Sequence, residues 1–255
     1  MIVFCCDLVE TLMLKLYYAR PSVYARPVWL ALLEKQLPFE LIPVDLSGEQ
    51  FEPEFLSLNP FSHVPVLVDG DFRVIESLAI LDYLEARYPD RPLLPTDPTA
   101  LAKVRMAQLV TLNELVPAVF KLILHHDPRS TPDHRNPSET VELEYAQMRA
   151  INTLNFLETL LGNSPYFAGE QLTLAEIVAG TLVHRLPDLG IPLISYPGLH
   201  NWSRQLLSRP TWQQIELHPE EWDNLKRRMR VMPKIWERRR RHRTHALSQV
   251  QRVGK

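Results

Sequence analysis

The sequence predicts a small α/β domain over residues 13–90, followed by an all-α domain over residues 100–218. Three observations predict this division. Segments of strand and helix type follow the order β-α-β-α-β-β-α over about 75 residues, which is typical of a small α/β unit. Residues 91–99 are polar and rich in proline, as linkers are. Beyond them, apolar residues recur at helical spacing, and no segment alternates convincingly as a strand would.

The α/β domain begins with a predicted strand at residues 14–18, where apolar and polar residues alternate before the turn at Pro21. Residues 23–34 carry an apolar stripe at helical spacing, and Ser22 precedes them at the position of an N-cap. A second strand is predicted at residues 39–45. A loop and a short helix are expected to follow it.

The remainder of this domain is predicted to be a hairpin and a helix. Residues 65–69 and 72–75 read as two strands that flank the turn sequence Asp69-Gly70-Asp71. Residues 77–88 then place apolar side chains at helical spacing. These elements complete the α/β unit.

The all-α domain contains one clear helix-start signal. Thr173, followed three residues later by Glu176, is a capping box, whose two side chains satisfy backbone N–H groups that otherwise lack partners. Apolar periodicity predicts helices at residues 101–124, 138–161, 173–186, 199–207 and 211–217.

Residues 1–12 differ from the rest of the sequence because they lack its strong patterning. Strong patterning starts near Met13, so we expect the functional chain to begin there, with residues 1–12 either an upstream-start artefact or a short ordered extension. Acidic residues interrupt their apolar run, which is too short for a membrane span.

The sequence has two cysteines, Cys5 and Cys6, which are adjacent and suit neither a disulfide framework nor a zinc site. A reducing, cytoplasmic compartment is expected.

Charge is distributed unequally along the 255 residues. Residues 226–255 contain 12 Lys or Arg and one acid, whereas residues 1–225 contain 16 basic and 29 acidic residues. This balance argues against a nucleic-acid-binding body, and any basic partner site must be sought in the tail.

The basic tail, residues 219–255, has three interpretations. The first is a terminal helix that packs Trp222 and Met229 on the body, followed by a disordered basic end. The second is that residues 238–243 bind an anionic membrane or nucleic acid. The third is that the tail binds the acidic body of its own chain.

Three features of the α/β domain indicate a binding site. Ser22 lies between the first strand and the first helix, where a hydroxyl can donate to an anion. Val64-Pro65 directly precedes a strand, and a cis proline there would free the Val64 backbone to pair with an extended peptide ligand. Glu76-Ser77 opens a helix and suits an α-amino-acid group, because a carboxylate holds an ammonium and a hydroxyl holds a carboxylate. Each feature alone is ordinary, but their order within one α/β unit predicts a site.

Two stretches of this domain resemble the N-terminal thioredoxin-like domain of cytosolic glutathione S-transferases: LKLYYARPSVYARPVWLALLEK and NPFSHVPVLVDGDFRVIESLAILDYLEARYP. The all-α region resembles their C-terminal helical domain in YFAGEQLTLAEI and LSRPTW. The resemblance covers roughly residues 13–217. It implies the glutathione transferase architecture, a homodimer and a role in detoxification in the cytoplasm. It also implies a glutathione site in the small domain and a hydrophobic electrophile site between the domains, which we expect residues 105–116 to help build.

The resemblance implies a role for individual residues. Ser22 matches the serine of the S-x-x-x-R-x-V pattern, which donates a hydrogen bond to the glutathione thiolate in serine-type classes. Val64 matches the residue whose backbone pairs with the cysteinyl part of glutathione, and Pro65 matches the cis-proline beside it. Glu76 and Ser77 match the pair that binds the γ-glutamyl end.

Further residues near these positions leave alternatives open. Tyr17 matches the strand-end position of the tyrosine-type classes and is the runner-up to Ser22. His63 lies where Lys or Gln is common and could approach the glycyl carboxylate. Arg20 and Arg26 either add positive potential to the site or are solvated.

The implied reaction follows from thiol chemistry. A thiol of pKa about 8.5 is only partly ionised at neutral pH, and a hydrogen bond to its thiolate lowers that pKa. The expected function is therefore conjugation of glutathione, as co-substrate and without a metal, to small hydrophobic electrophiles. The alternative is a non-catalytic, transferase-like binding module that acts through protein or nucleic-acid contacts.

Overall fold

The structure is a computed structural model that describes residues 13–125 and 137–229. The predictions made for residues 1–12 and for residues 238–243 lie outside the described residues. The α/β domain precedes the helical domain, as predicted.

The α/β domain contains a four-stranded mixed sheet. Strands β1 and β2 are parallel, whereas β1 with β3 and β3 with β4 are antiparallel, in the spatial order β2-β1-β3-β4. In chain order the elements are β1 (Leu14–Tyr18), α1 (Ala25–Glu34), β2 (Phe39–Pro43), α2 (Pro53–Leu58), β3 (Val66–Asp69), β4 (Phe72–Ile75) and α3 (Ser77–Arg87). This is the predicted thioredoxin-like arrangement.

Strand β1 shows how the sequence sets the two faces of this sheet. Leu14 and Leu16 are buried in the main core, to which α1 and α3 also contribute. Tyr17 instead packs with Val66 and with Phe55 of α2 in a smaller cluster. Because successive side chains of a strand point to opposite faces, neighbouring residues of β1 enter different environments.

The helical domain begins with a nearly continuous helical stretch. Helices α4 and α5 are joined by a π-helical turn at Thr111–Leu115. The helices of this domain are α4 (Pro98–Val110), α5 (Val116–His125), α6 (Pro137–Leu161), α7 (Leu174–Val183), α8 (Pro197–Leu207) and α9 (Pro210–Ile215). Residues 219–229 form one more helix, here called the terminal helix. Trp222 is buried in the core and Met229 packs against it, which confirms that part of the tail prediction.

The stretch Pro98–Leu124 is long and apolar enough to cross a membrane, judged by length and composition alone. Half of its most apolar window is buried inside the protein. Val104, Ala107 and Leu115 contribute to the main core. A core helix of a folded domain passes the same test, and we describe this stretch as one.

Helix α7 is held at its start by the predicted capping box. The Thr173 hydroxyl accepts a hydrogen bond from the Ala175 N–H at 3.2 Å, and Glu176 accepts one from the Thr173 N–H at 2.8 Å. Glu176 is fully buried and also accepts from the Phe167 N–H at 2.8 Å. This carboxylate therefore ties the preceding loop to the helix.

Helix α1 joins the two domains. Its Arg26 donates to the Thr181 carbonyl of α7 at 3.1 Å, and its Glu34 binds Arg209 and Thr211 at 2.6 and 2.5 Å. These contacts fix both ends of α1 against the helical domain, and the one at Arg26 holds the end that follows Ser22.

Candidate active site

A cavity of about 770 Å³ lies between the α/β domain and the helical domain. Six of the seven residues predicted for the site line it: Ser22, His63, Val64, Pro65, Glu76 and Ser77. Tyr17, the seventh predicted residue, is not among the described residues that line the cavity. The structure therefore brings together residues that are up to 55 positions apart in the sequence.

Ser22 lies at the N-terminus of α1, with its hydroxyl oriented by the helix. Its Oγ accepts a hydrogen bond from the Ala25 N–H at 3.2 Å. Helix α1 starts at Ala25, two residues later than predicted, because Ser22 caps a turn that precedes it. Since Oγ serves as an acceptor here, the hydroxyl hydrogen remains available to donate to a ligand. The positive end of the helix dipole favours an anion at this position.

Tyr17 and Tyr18 occupy opposite faces of the sheet. Tyr17 packs in the smaller cluster beside Val66. Tyr18 lines the cavity and packs edge-on against Trp29, with ring centroids 5.3 Å apart. This geometry supports Ser22 rather than Tyr17 as the candidate donor to a thiolate.

The Val64–Pro65 peptide bond is cis, as the sequence suggested. Val64 is buried in the wall, and the pairing of β3 with β1 starts only at Val66, so Val64 precedes the sheet ladder. Asn59, 1% exposed, holds the loop that leads to this bond by donating to the His63 carbonyl at 2.8 Å. The Val64 backbone is therefore positioned at the cavity, where an extended ligand can pair with it.

Glu76 immediately precedes α3 in an unusual backbone conformation. Its φ of 69° lies in the left-handed region, which a non-glycine residue adopts only when the surrounding structure imposes it. Ser77 is buried at the first position of the helix. Burial and, after it, the negative charge of Glu76 raise the pKa of Tyr24, which therefore lines the cavity as a neutral hydroxyl. This corner combines a carboxylate with a helix N-terminus, the pair that suits an α-amino-acid group.

Gln50 is a wall residue that the sequence did not single out. It is 1% exposed, and its Nε2 donates to the Leu46 carbonyl at 2.9 Å. Its Oε1 has no hydrogen-bond partner among the described residues. A buried amide oxygen without a partner is costly, so a donor group of a ligand would stabilise it. A glutamine in a polar loop carries no sequence signal that would have identified it.

The apolar part of the wall comes from the helical domain. The prediction that residues 105–116 build it is wrong: none of them lines the cavity, and Ala107 and Leu115 are buried in the core instead. The apolar side chains that the described part of this domain contributes to the wall are Phe120 and Ile123 of α5, Leu217 after α9, and Leu225 and Met229 of the terminal helix.

Arg20 and Arg26 differ in their relation to the cavity. Arg26 is 3% exposed and lies 3.6 Å from the Glu216 carboxylate, so it is not solvated. Burial and the neighbouring Arg185 and Arg20 lower the pKa of Arg26 to about 9. Arg20 does line the cavity, but its guanidinium binds the Glu216 carbonyl at 2.9 Å.

Comparison with known proteins shows the family of the chain. The family model "Glutathione S-transferase, N-terminal domain" matches residues 16–92, and "Glutathione S-transferase, C-terminal domain" matches residues 118–210. The chain is 36% identical over 191 residues to glutathione S-transferase F14 of Arabidopsis thaliana, covering 70% of this chain and 73% of that protein.

Solved structures show the same similarity. A glutathione S-transferase from the Antarctic clam Laternula elliptica is 28% identical, with a TM-score of 0.70 over 83% of this chain and 94% of that one. The Methylobacterium radiotolerans glutathione S-transferase, in complex with glutathione sulfonate, is 30% identical, with a TM-score of 0.66 over 80% and 94%. On this evidence the chain belongs to the cytosolic glutathione S-transferase superfamily.

Proposed function

We propose that this transferase conjugates the thiolate of glutathione to small hydrophobic electrophiles, with the Ser22 hydroxyl stabilising the thiolate. The observation that carries the proposal is the position of Ser22. It lines the same cavity as the cis Val64–Pro65 bond and the Glu76–Ser77 corner, at the N-terminus of α1.

Glutathione fits this wall as an extended tripeptide. Its γ-glutamyl end meets the carboxylate of Glu76 and the Ser77 end of α3, and its cysteinyl backbone pairs with Val64 beside Pro65. The glycyl end then approaches His63. Each assignment matches a donor or an acceptor on the peptide to a group of opposite kind in the wall. The proposal invokes no metal, and residues 13–125 and 137–229 contain no group of three or more His, Cys, Asp or Glu arranged to hold one.

Ser22 activates glutathione by lowering the pKa of its thiol. A decrease of two pKa units corresponds to about 2.7 kcal/mol of preferential stabilisation of the thiolate. A hydroxyl donor and a helix N-terminus both favour the charged form. In this mechanism the thiol proton is lost to solvent, and Ser22 donates a hydrogen bond to the thiolate without acting as a nucleophile. The thiolate sulfur then forms a C–S bond with the electrophilic carbon, whose displaced electron pair leaves with a leaving group or moves onto an adjacent acceptor atom that is then protonated.

The electrophile occupies the apolar part of the cavity. Phe120 and Ile123 line it on α5, and Leu225 and Met229 line it on the terminal helix. Burial of apolar surface there stabilises a hydrophobic substrate by about 25 cal/mol per Å². The wall therefore favours small apolar electrophiles.

A titration with glutathione at neutral pH tests the role of Ser22. We expect a saturable ultraviolet absorbance of bound thiolate in the wild type and its loss in Ser22→Ala, with turnover reduced about 100-fold. Ser57→Ala is the matched control, because Ser57 is an exposed serine of α2 outside the cavity wall. Tyr17→Phe tests the runner-up.

Three results would change this proposal. Thiolate that persists in Ser22→Ala but is lost in Tyr17→Phe would transfer the role to Tyr17. Glutathione that binds without forming thiolate would indicate a different chemistry. A wild type that does not bind glutathione at all would favour the non-catalytic binding module.

We also propose that the functional unit is a homodimer. Several large apolar side chains are exposed in the single chain, and those of α6 recur every three or four residues, so they share one face of the helix. Such contiguous apolar surface marks a place that a partner covers. These side chains lie on the loop before β3 and on α4 and α6: Phe61, Met106, Leu109, Val141, Tyr145, Met148 and Ile151. Sedimentation equilibrium should give twice the chain mass of 29.6 kDa, and a mass of one chain would contradict this proposal. The cytoplasmic location and the binding of anionic partners by residues 238–243 stay predictions.

A further inference from the structure

The terminal helix contributes directly to the wall of the cavity. Its polar residues at the wall are Glu221, Asn224 and Arg228, and its apolar ones are Leu225 and Met229. Because Phe120 and Ile123 line the same cavity from α5, a ligand in its apolar part lies between α5 and the terminal helix. The position of this helix therefore decides how much room such a ligand has.

The start of the terminal helix is fixed by buried and charged contacts. Trp222 is 5% exposed, and the guanidinium of Arg185 lies 5.4 Å from its ring centroid. Glu221 binds the Arg20 Nε at 2.9 Å, and its carboxylate accepts from the His218 N–H at 2.9 Å. Moving this end would expose Trp222, so it is the stable end of the helix.

Towards Met229, the last residue of the helix that the structure describes and here called its far end, Leu225 and Met229 pack against the core. Among the described residues, the ion pair that joins this end to the α/β domain is Asp45–Arg228. Arg228 Nη2 donates to Asp45 Oδ1 at 3.0 Å, and both residues line the cavity. Asp45 lies two residues beyond the end of β2, so this contact joins the two domains across the cavity. We call Asp45–Arg228 the closing ion pair.

Hydrogen bonds from Ser47 orient the Asp45 carboxylate independently of Arg228. Its carboxylate accepts hydrogen bonds from the Ser47 N–H at 2.9 Å and from the Ser47 hydroxyl at 2.6 Å. These bonds and the one from Arg228 lower the pKa of Asp45 to about 2. The carboxylate is therefore charged and oriented at neutral pH.

The two ends of the terminal helix differ in how much resists their movement. Opening the start exposes a buried tryptophan, whereas opening the far end breaks an ion pair whose side chains are 41% and 60% exposed and uncovers Met229, which is only partly buried. Exposed ion pairs contribute little to stability and weaken with salt. Of the two ends, the far end therefore requires less free energy to open.

From this asymmetry we infer that the closing ion pair slows the release of glutathione thioethers whose S-substituent extends beneath the terminal helix. Asp45 and Arg228 are then determinants of ligand size, because a short S-substituent leaves without moving the helix. The inference rests on the proposed function, since it requires that the sulfur lie near Ser22.

Stopped-flow release of two product analogues tests the inference. S-hexylglutathione reaches beneath the helix and S-methylglutathione does not, and each is displaced from the enzyme by excess glutathione. In Asp45→Asn we expect S-hexylglutathione to leave about two- to five-fold faster, the range that an exposed ion pair supports, and S-methylglutathione to leave at the wild-type rate. Salt at about 0.5 M should accelerate the wild type in the same way and leave the variant unchanged.

Matched variants separate the ion pair from a general effect on the helix or on charge. Asp223→Asn makes the same change of charge on the terminal helix, where Asp223 pairs only locally with Lys226 at 2.7 Å, and should release both ligands at the wild-type rate. Arg228→Gln should reproduce Asp45→Asn. Asp45→Arg combined with Arg228→Asp should restore slow release.

The contradicting results are distinct for the two proposals. Wild-type release rates for S-hexylglutathione in both Asp45→Asn and Arg228→Gln would overturn the inference alone, as would equal acceleration of S-methylglutathione. A wild type that binds neither thioether would overturn the proposed function and, with it, the inference.

Discussion

The α/β domain and the helical domain build their halves of the cavity in different ways. The α/β half depends on backbone geometry: the start of α1 at Ser22, the cis Val64–Pro65 bond and the positive φ of Glu76. The helical half depends on apolar side chains such as Phe120 and Met229, which lie on separate helices. The first half can recognise a fixed peptide, whereas the second sets only size and polarity.

This difference explains how much of the site the sequence predicts. Backbone features leave short local signatures, so Pro65 before a strand and Glu76-Ser77 before a helix can be recognised by order and spacing. The limits of β1 and β4 were predicted to the residue. The alternation within β1 also separates Tyr17 from Tyr18, but only the packing of the helical domain decides which face of the sheet becomes the cavity.

The helical half has no such signature. Periodicity distinguishes the buried from the exposed face of a helix, but not a core contact from a cavity contact. Leu115 and Phe120 are therefore equivalent in the sequence, although Leu115 is in the core and Phe120 lines the cavity. For the same reason the sequence does not predict that Gln50 lines the cavity. It also does not predict the closing ion pair, whose partners are 183 residues apart.

The largest effect is expected from Glu176→Ala, a change confined to the helical domain. The change leaves the buried N–H groups of Phe167 and Thr173 without an acceptor and should lower the free energy of unfolding by about 3 kcal/mol. Urea unfolding at fixed protein concentration measures it. Thr173→Ser keeps the hydroxyl and should cost much less. A stable Glu176→Ala protein would show that this buried carboxylate does not hold the domain together.

A smaller effect, confined to the α/β half, is expected from Glu76→Gln. The change keeps a hydrogen-bonding oxygen but removes the charge that, in the proposed function, attracts the γ-glutamyl ammonium, so KM for glutathione should rise about ten-fold. Steady-state kinetics at saturating electrophile measure it, and KM for the electrophile should not change. An equal rise in both constants would mean that the two halves do not act separately.

A smaller effect again, confined to the helical half, is expected from Phe120→Ala. Loss of about 40 Å² of apolar contact should raise KM for a hydrophobic electrophile roughly five-fold. The thiolate absorbance of bound glutathione should stay at its wild-type value, because Ser22 lies in the other domain. Loss of the thiolate absorbance in Phe120→Ala would contradict the separate roles of the two halves of the cavity.

The smallest effect is expected from pH on the closing ion pair. Because the folded pKa of Asp45 is about 2, below its ordinary value of 3.8, its contribution is fully present above about pH 4 and is lost only as pH falls through about 2. Arg228 and Ser47 face this carboxylate, and Glu49 accepts from its backbone N–H. The ratio of S-hexylglutathione release rates between Asp45→Asn and the wild type should therefore be constant from pH 5 to 8. A ratio that decreases between pH 5 and 8 would mean that a titratable group other than Asp45 controls the release rate.

The contacts of α1 with the helical domain also impose an order on biosynthesis. Arg26 cannot bind the Thr181 carbonyl until Thr181, 155 residues further along the chain, has been synthesised. Glu34 likewise cannot bind Arg209, which is 175 residues further along. At synthesis rates of about 5–20 residues per second, that delay is roughly 8–35 seconds. During this time the nascent α/β domain carries a cation and an anion whose partners have not yet been made. The glutathione half of the enzyme is translated early, but its position against the rest is decided late.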